Sequence, residues 1–365
     1  MCEDFVRNAS KKELNTINLF GIKLKVRPYL TPQNIKKNII NFIDEHLMFH
    51  KPFDGDVDIV FLWCSNQDKA WNEKRIATLK SLNKDFVEQA VCDGRFQDNE
   101  ELRYALRSIE KNAPWINKIY IITDNQIPPF INLDNPKIKI IDHKEIIPQE
   151  YLPTFNANVI ETCFHKIPEL KEHFLFANDD TFFRDYVKKS FFFDYKGRPI
   201  ARYRKMPHIW IILESLYQQN IIKMQKMIFN DYDVKICLQP HHNIDSYTKT
   251  ICQQCENTYF NLYEKTRLNK FRCENEFHRS LILFQAIALG LAKLKKIKKI
   301  KFLTSAYIDS SLYGIHEENI LKKIKKLKSS LICFNDSELV NSEQRIRAKE
   351  IFEKLYPKKS SYEKD

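Results

Sequence analysis

The chain has 365 residues, of which 43% are hydrophobic, 29% charged and 13% aromatic, a balance that excludes a disordered or fibrous protein. At that length it forms two domains or one large domain with additions. Glycine is scarce, 6 residues in all, and neither Gly-x-Gly-x-x-Gly nor a P-loop pattern occurs, so a phosphate-bearing ligand has to be held by side chains and metal. Net charge is +12, and eleven lysines against three acids fall between residues 291 and 330. Such a patch suits anionic lipid headgroups or an acidic polymer. No aromatics suited to base stacking are interleaved with these lysines, which argues against nucleic acid as a partner.

The first residues lack the basic and apolar regions of a secretory signal, and no run of 18 apolar residues occurs, so the expected location is cytoplasmic. Nine cysteines in such a chain read as free thiols rather than a disulfide framework. Cys252 and Cys255 have zinc or redox spacing, but without a second Cys/His pair at zinc-ribbon distance they read as core thiols.

In chain order, residues 19–28 predict a short strand, and apolar spacing at Ile35, Ile39, Ile40 and Phe42 predicts a helix over 31–50. These form an N-terminal segment, 1–54. From Asp56 the pattern changes to apolar runs alternating with amphipathic stretches: VDIVFLW (57–63), KIYIITD (118–124), KIKIID (137–142) and HFLFAND (173–179). Short buried strands separated by helices predict a doubly wound α/β sheet. A helix over 99–112 is expected, with Asp98 and Glu101 as a capping box and Leu102, Ala105, Leu106 and Ile109 as its buried stripe. Asn156 caps a second helix. Later segments predict helices over 246–265 and 279–296 and a strand near 301–307.

Three of the four strands run directly into carboxylates, Asp124, Asp142 and the pair Asp179–Asp180, where open α/β sheets bind ligands. An acidic pair at a strand end can hold a divalent cation, which in turn neutralises a diphosphate; acidic pairs also make turns and caps. Gln239-Pro240-His241-His242-Asn243-Ile244-Asp245 offers two histidines as metal ligand or general base. Leu331-Ile332-Cys333-Phe334 followed by Asn335-Asp336 repeats the strand-to-acid pattern.

Taken together, these segments resemble the Stealth family of sugar-phosphate transferases. DVDIVFLW (56–63) resembles the family's first region, RFQDNEELRYALRSIEKNAPWINKIYIITD through HFLFANDDTFF (95–183) its second, PHHNID with KFRCENE downstream its third, and LICFND its fourth. The resemblance implies a glycosyltransferase A-like doubly wound sheet with a helical insertion: a catalytic domain over 55–340, less matched at about 185–235, and a C-terminal helix and tail, 341–365. It implies transfer of a hexose or N-acetylhexosamine 1-phosphate from a nucleotide sugar, usually a UDP-sugar, to an acceptor sugar hydroxyl in cell-surface polysaccharide synthesis.

By the same resemblance Asp179, Asp180 and Asp336 hold Mg²⁺ or Mn²⁺, and His242 is the base with His241 its neighbour. Arg272 binds phosphoryl oxygens, for which a forked guanidinium is suited. Arg103, Arg107, Asp68, Asp124, His241 and Asn335 contact substrate. The first region departs from its usual form: Trp63-Cys64-Ser65-Asn66-Gln67-Asp68 places Ser65 where a carboxylate or amide is usual, with Asn66 expected in a left-handed turn. The implied partners are the nucleotide-sugar donor, an oligosaccharide or polysaccharide acceptor and capsule assembly machinery. The lysines at 322–328 would dock the enzyme on the anionic cytoplasmic face of a membrane. Two other readings fit the residues, an ordinary metal-dependent glycosyltransferase and a catalytically decayed polyanion- or membrane-binding protein.

Overall fold

A computed structural model describes residues 15–19, 22–26, 50–82, 86, 88–205, 215–240, 244–297, 307–311, 320–322, 324, 329–337 and 339–364. The chain divides into two compact units, Met1–Pro52 and Phe53–Asp365. In the first, β1 (Asn15–Leu19) and β2 (Ile22–Val26) pair antiparallel, so the strand expected over 19–28 is the second arm of a hairpin. The helix expected over 31–50 lies outside the described residues apart from His50.

The second unit begins with β3 (Val57–Leu62) and α1 (Lys69–Ser81), followed by the short α2 (Glu88–Val91) and by α3 (Glu101–Asn112). Strands β4 (Ile119–Thr123) and β5 (Ile138–Asp142) come next, then α4 (His143–Ile146) and α5 (Ala157–Glu161). The strand β6 (His173–Asn178) turns at Asp179–Asp180 into β7 (Thr181–Phe183). All four apolar runs are therefore strands. They form one sheet of order β5-β4-β3-β6, parallel throughout, with β10 (Asp245–Thr248) antiparallel on the β6 edge. The central strands are buried on both faces, as parallel sheets require. Val57, Ile59, Phe61, Ile121 and Leu175 pack with Leu102, Leu106 and Ile109 of α3 on one side. Val60, Tyr120, Ile122, Phe174 and Phe176 pack with Phe164 and Tyr247 on the other.

Residues 185–235 contribute β8 (Ile200–Lys205) and α6 (Leu216–Tyr232), whose capping box is Ser215 and Gln218. The strand β9 (Leu238–Gln239) pairs with β8. The single helix expected over 246–265 is instead β10 followed by α7 (Lys249–Thr258), capped by Thr248, and α8 (Phe260–Arg267). Edge pairing with β6 holds residues 245–248 extended. The helix expected over 279–296 stops as α9 (Ser280–Ala288). Gly290 adopts φ +74°, and Leu291 N–H and Gly290 N–H donate to Ala286 O (2.7 Å) and Ile287 O (3.1 Å), a Schellman ending that only glycine makes without strain. The chain then enters β11 (Lys293–Ile297), parallel to β8. The strand expected near 301–307 lies outside the described residues except for Tyr307, which opens β12 (Tyr307–Ser311). β13 (Leu331–Asn335) pairs with both β12 and β7, and α10 (Ser342–Leu355) belongs to the same compact unit. Cys252 and Cys255 are buried free thiols in α7.

Between α7, α8 and the sheet lies a buried ion cluster. Glu256 receives His165 Nε2 at 2.9 Å, Lys166 Nζ at 2.8 Å and Arg267 Nη2 at 2.5 Å. Burial alone would raise the Glu256 carboxyl, but these hydrogen bonds outweigh it and hold the group well below the usual range. Removing one partner of a buried pair leaves the other uncompensated, so Glu256→Gln should cost about 3 kcal/mol in denaturant unfolding at pH 7. Because the folded carboxyl titrates below the unfolded value of 4.5, the wild-type advantage should hold above that pH and vanish only as the pH falls well below it.

Candidate active site

Strand order reverses at β3, which has β4 and β5 on one side and the later β6 on the other. Ligands of open α/β sheets bind outside the carboxyl ends at such a switch point. There the chain forms a cleft of about 510 Å³, reached by Leu62, Trp63 and Cys64 from β3, Asp179 and Asp180 from β6, Asp124 from β4 and His143 after β5.

The turn from β6 to β7 fixes the acidic pair. Thr181 Oγ1 donates to Asn178 O (2.7 Å), and Phe334 N–H donates to Asp180 O (3.0 Å). Because β13 pairs with β7 from Leu331↔Phe183 to Cys333↔Thr181, Asn335 and Asp336 arrive beside the pair and also line the cleft. Helix α3, bound to β7 by Phe183 N–H donating to Ser108 Oγ (3.0 Å), brings Glu101 to the same wall. Its carboxylate accepts from Asn99 N (2.7 Å) and Asn99 Nδ2 (2.7 Å). The expected capping box at Asp98 does not form: Glu100, in the left-handed region, is the N-cap, and Glu101 folds back onto Asn99.

This wall is crowded with negative charge. The Asp179 carboxyl is pushed well above its ordinary range by burial, then by Asp180 and Asp98. Glu101 is raised to about 8 by burial and by Asp179. Mutual repulsion of this kind is relieved by a cation, so Asp179 and Asp180 fit a divalent ion. Among the described residues no three His, Cys, Asp or Glu side chains group as a metal site; Mg²⁺ commonly takes one or two carboxylates and completes its shell with substrate phosphate and water. Asp336 is otherwise engaged. Arg345 Nε and Nη2 donate to its two oxygens at 2.8 and 3.1 Å, and Asn99 Nδ2 donates at 3.1 Å.

Arg272 also lines the cleft. Phe271 stacks on Phe155 (5.3 Å between ring centres) and meets Phe86 edge-on (5.4 Å), and Phe155 N–H donates to Lys270 O (2.8 Å), which anchors this loop. Burial and the neighbouring Arg95 disfavour the Arg272 charge, and among the described residues no carboxylate lies within ion-pair distance of it. Arg279, by contrast, is neutralised by Glu161 (2.9 Å) and lies 3.6 Å from Asp245.

Asp179, Asp180, Asp124, Arg272, Asn335 and Asp336 thus share one cleft. Three expected contacts do not line it. Asp68 is the N-cap of α1, accepting from Trp71 N–H at 3.0 Å. Arg107 donates to Glu363 (2.9 and 3.0 Å) and Glu353 (3.0 Å), and Arg103 pairs with Glu100 (2.7 Å). The C-terminal tail and α10 therefore take up Arg107, a pairing between residues 256 positions apart that no local pattern announces. Asn66 is not among the positive-φ residues; Ser65, buried, exchanges hydrogen bonds with Gln126 (3.1 and 2.8 Å). His241 and His242 lie outside the described residues, as do Lys323, Lys325, Lys326 and Lys328. Glu101, His143, Trp71 and Arg279 line the cleft unannounced. Glu101 read as a helix cap, and the others sat in ordinary helical or strand-end sequence.

The family described as Stealth protein CR2, conserved region 2, matches residues 95–201. The capsular polysaccharide phosphotransferase WcwK of Streptococcus pneumoniae is 28% identical over 341 residues, covering 84% of this chain and 98% of its own. The exopolysaccharide phosphotransferase cps2G of Lactiplantibacillus plantarum is 29% identical over 353 residues, covering 87% and 99%. The capsular polysaccharide phosphotransferase fcs1 of Haemophilus influenzae is 45% identical over 141 residues, covering 39% and 38%. Among solved structures, the galactosyltransferase LgtC in complex with donor and acceptor sugar analogues aligns with a TM-score of 0.41 at 11% identity, over 82% of this chain and 95% of that one. At that score the fold assignment rests on the strand order itself.

The charge crowding makes a stability prediction. A carboxyl whose folded pKa is raised destabilises the fold wherever it must be ionised, so Asp179→Asn should raise unfolding stability at pH 7, by about 0.5–2 kcal/mol, the range of common stabilising substitutions. The gain should disappear below pH 3.8, where the wild-type side chain is protonated in both states. Calorimetric melting at the two pH values measures it.

Proposed function

We propose that this chain, which belongs to the Stealth family of sugar-phosphate transferases, moves a hexose or N-acetylhexosamine 1-phosphate from a nucleotide sugar to a hydroxyl of an acceptor saccharide in capsular or other cell-surface polysaccharide synthesis. The observation that carries this reading is Arg272, a guanidinium with no carboxylate within ion-pair distance among the described residues, in the same cleft as the acidic pair Asp179–Asp180. Acids for a cation and a guanidinium for phosphoryl oxygens are the two halves of a diphosphate site.

In this reading the acceptor oxygen attacks the β-phosphorus, the bond from that phosphorus to the bridging oxygen breaks, and the nucleoside monophosphate leaves. The sugar 1-phosphate moves intact. Asp179 and Asp180 hold Mg²⁺ or Mn²⁺, which when bound neutralises diphosphate charge. Arg272 orients the transferred phosphoryl oxygens, and Asn335 lies beside the acidic pair to contact the donor. His242 takes the acceptor proton, with His241 as its neighbour. No helix among the described residues is long and apolar enough to cross a membrane. The lysines at 322–328 are proposed to hold the enzyme against anionic lipid on the cytoplasmic face, near the capsule assembly machinery, or to hold an anionic acceptor.

Purified enzyme with Mg²⁺, UDP-sugars and capsule oligosaccharides should release UMP and leave phosphate in the product; release of UDP instead would make it an ordinary glycosyltransferase. EDTA should stop transfer. Asp180→Asn should abolish it in a chain that still melts cooperatively, and Arg272→Lys should lower kcat, since a point charge does not replace the fork. Separately, His242→Ala should lower kcat by about 10² to 10⁴ with donor affinity much less affected, and His241→Ala should be milder. The reverse order would move the base to His241.

A further inference from the structure

The cleft extends past the diphosphate machinery. From β6 it crosses the ends of β3 and β4 to β5, three strand spacings or about 14 Å, the order of reach of an extended nucleotide. At its far end lies His143, the first residue of α4, held there because Asp142 and Glu145 form a capping box that closes the turn after β5. The residue is 5% exposed, lines the cleft, and its Nδ1 has no hydrogen-bond partner among the described residues. Near it Asp124 is neutralised by Lys74 at 2.5 Å, so this end is not set up for a cation. Trp71, 4% exposed, also lines the cleft with an unpartnered Nε1, its ring braced by Phe155 (5.3 Å) and Phe96 (5.7 Å). Leu62, Ile122 and Ile160 add apolar surface.

A buried polar atom without a partner carries the full cost of its lost hydration. Several atoms of this cleft are in that state, and His143 Nδ1 and Trp71 Nε1 are the uncharged ones set among Leu62, Ile122 and Ile160, which marks a place completed by a ligand. That ligand has to be flat, to lie against an indole and aliphatic side chains, and edged with hydrogen-bonding atoms. It must also be uncharged, since Asp124, the acid lining this end among the described residues, already has Lys74 as its counter-ion. Of the parts of a nucleotide sugar, the nucleobase alone has all three properties. We infer that the end of the cleft bounded by His143, Asp124 and Trp71 is the nucleobase pocket of the donor, and that the His143 ring reads the edge of the base. The assignment rests on the nucleotide-sugar reading above and adds which residues select the nucleotide. Burial keeps the imidazole neutral, its pKa lowered to about 4, so it hydrogen-bonds without bringing a charge to the base.

The test is equilibrium binding to the full chain, by calorimetry, of UMP, CMP, AMP, GMP and ribose 5-phosphate, which has the sugar and phosphate but no base. The wild type should bind one nucleoside monophosphate better than ribose 5-phosphate. His143→Ala should weaken that nucleotide about ten-fold, the size of one lost hydrogen bond, and leave ribose 5-phosphate unchanged. Trp71→Phe, which keeps one aromatic ring but removes the N–H and part of the indole surface, gives a second variant should His143→Ala not fold, and the same base-selective loss is expected. Equal loss for nucleotide and ribose 5-phosphate, no loss in either folded variant, or no base preference in the wild type would overturn the inference. Turnover is not the readout, so the two ideas fail separately. A chain that binds the base through His143 yet releases no UMP from UDP-sugars sinks the transferase reading alone. One that transfers sugar phosphate with unaltered base preference in both variants sinks this inference alone.

Discussion

The parallel pairing of β3 with β6, in register from Val57↔His173 to Leu62↔Asn178, is the constraint on which the rest depends. These strands are about 115 residues apart in sequence, and their union sets the strand order whose reversal opens the cleft. Both are apolar on both faces, so neither is stable unless a layer covers each side. That demand recruits α3, β7 and β13 to one face and α5, α7 and α9 to the other. The cleft's acids and Arg272 then arrive at or just beyond the ends of elements the sheet needed for its own burial. Asp179 and Asp180 end β6, Asn335 and Asp336 end β13, Glu101 starts α3, and Arg272 follows α8.

Charge in the second unit is handled in two opposite ways. Where acids and bases support the fold they are matched closely: Glu256 with Arg267, Glu161 with Arg279, Glu363 with Arg107. In the cleft Asp336 and Asp124 are likewise paired, with Arg345 and Lys74, but Asp179 is crowded by Asp180 and Asp98, and Glu101 by Asp179. Crowded buried charge is costly, and it is here that the fold leaves like charges side by side. The same contrast separates the arginines. Arg103 and Arg107 stand four apart on α3 and have the composition of donor contacts, yet the tail residue Glu363 sits against both, at 3.8 and 2.9 Å, and neither faces the cleft.

The four central strands, the helix expected over 99–112, the cap at Asn156 and the acidic strand ends could all be read from the residues, because each depends on interactions within a few positions: a short continuous apolar run, a side chain bonding the next turn, a polar residue closing an apolar run. The helix expected over 279–296 ran through Gly290, whose left-handed conformation ends it at Ala288. Residues 245–248 could not be read this way. Asp-Ser-Tyr-Thr has no strand pattern of its own and is extended because β6 offers it an unpaired edge.

What the sequence by itself determined was the doubly wound class and the acidic ends of its strands, which rest on short-range periodicity and on residue types whose chemistry is intrinsic; that Asp179, Asp180, Asp124, Arg272, Asn335 and Asp336 serve one chemistry was implied by the family resemblance, and the structure brings them to one cleft. Only the tertiary structure decided which charged groups remain available. Asp336 is held by Arg345, Asp68 caps a helix and Arg107 binds the C-terminal tail, while His143 and Trp71 are left in the cleft with unfilled hydrogen-bonding atoms. The physical reason is that a side chain's charge is written in its own residue, but its compensation comes from partners as far as 256 positions away, and those are chosen by how the layers pack.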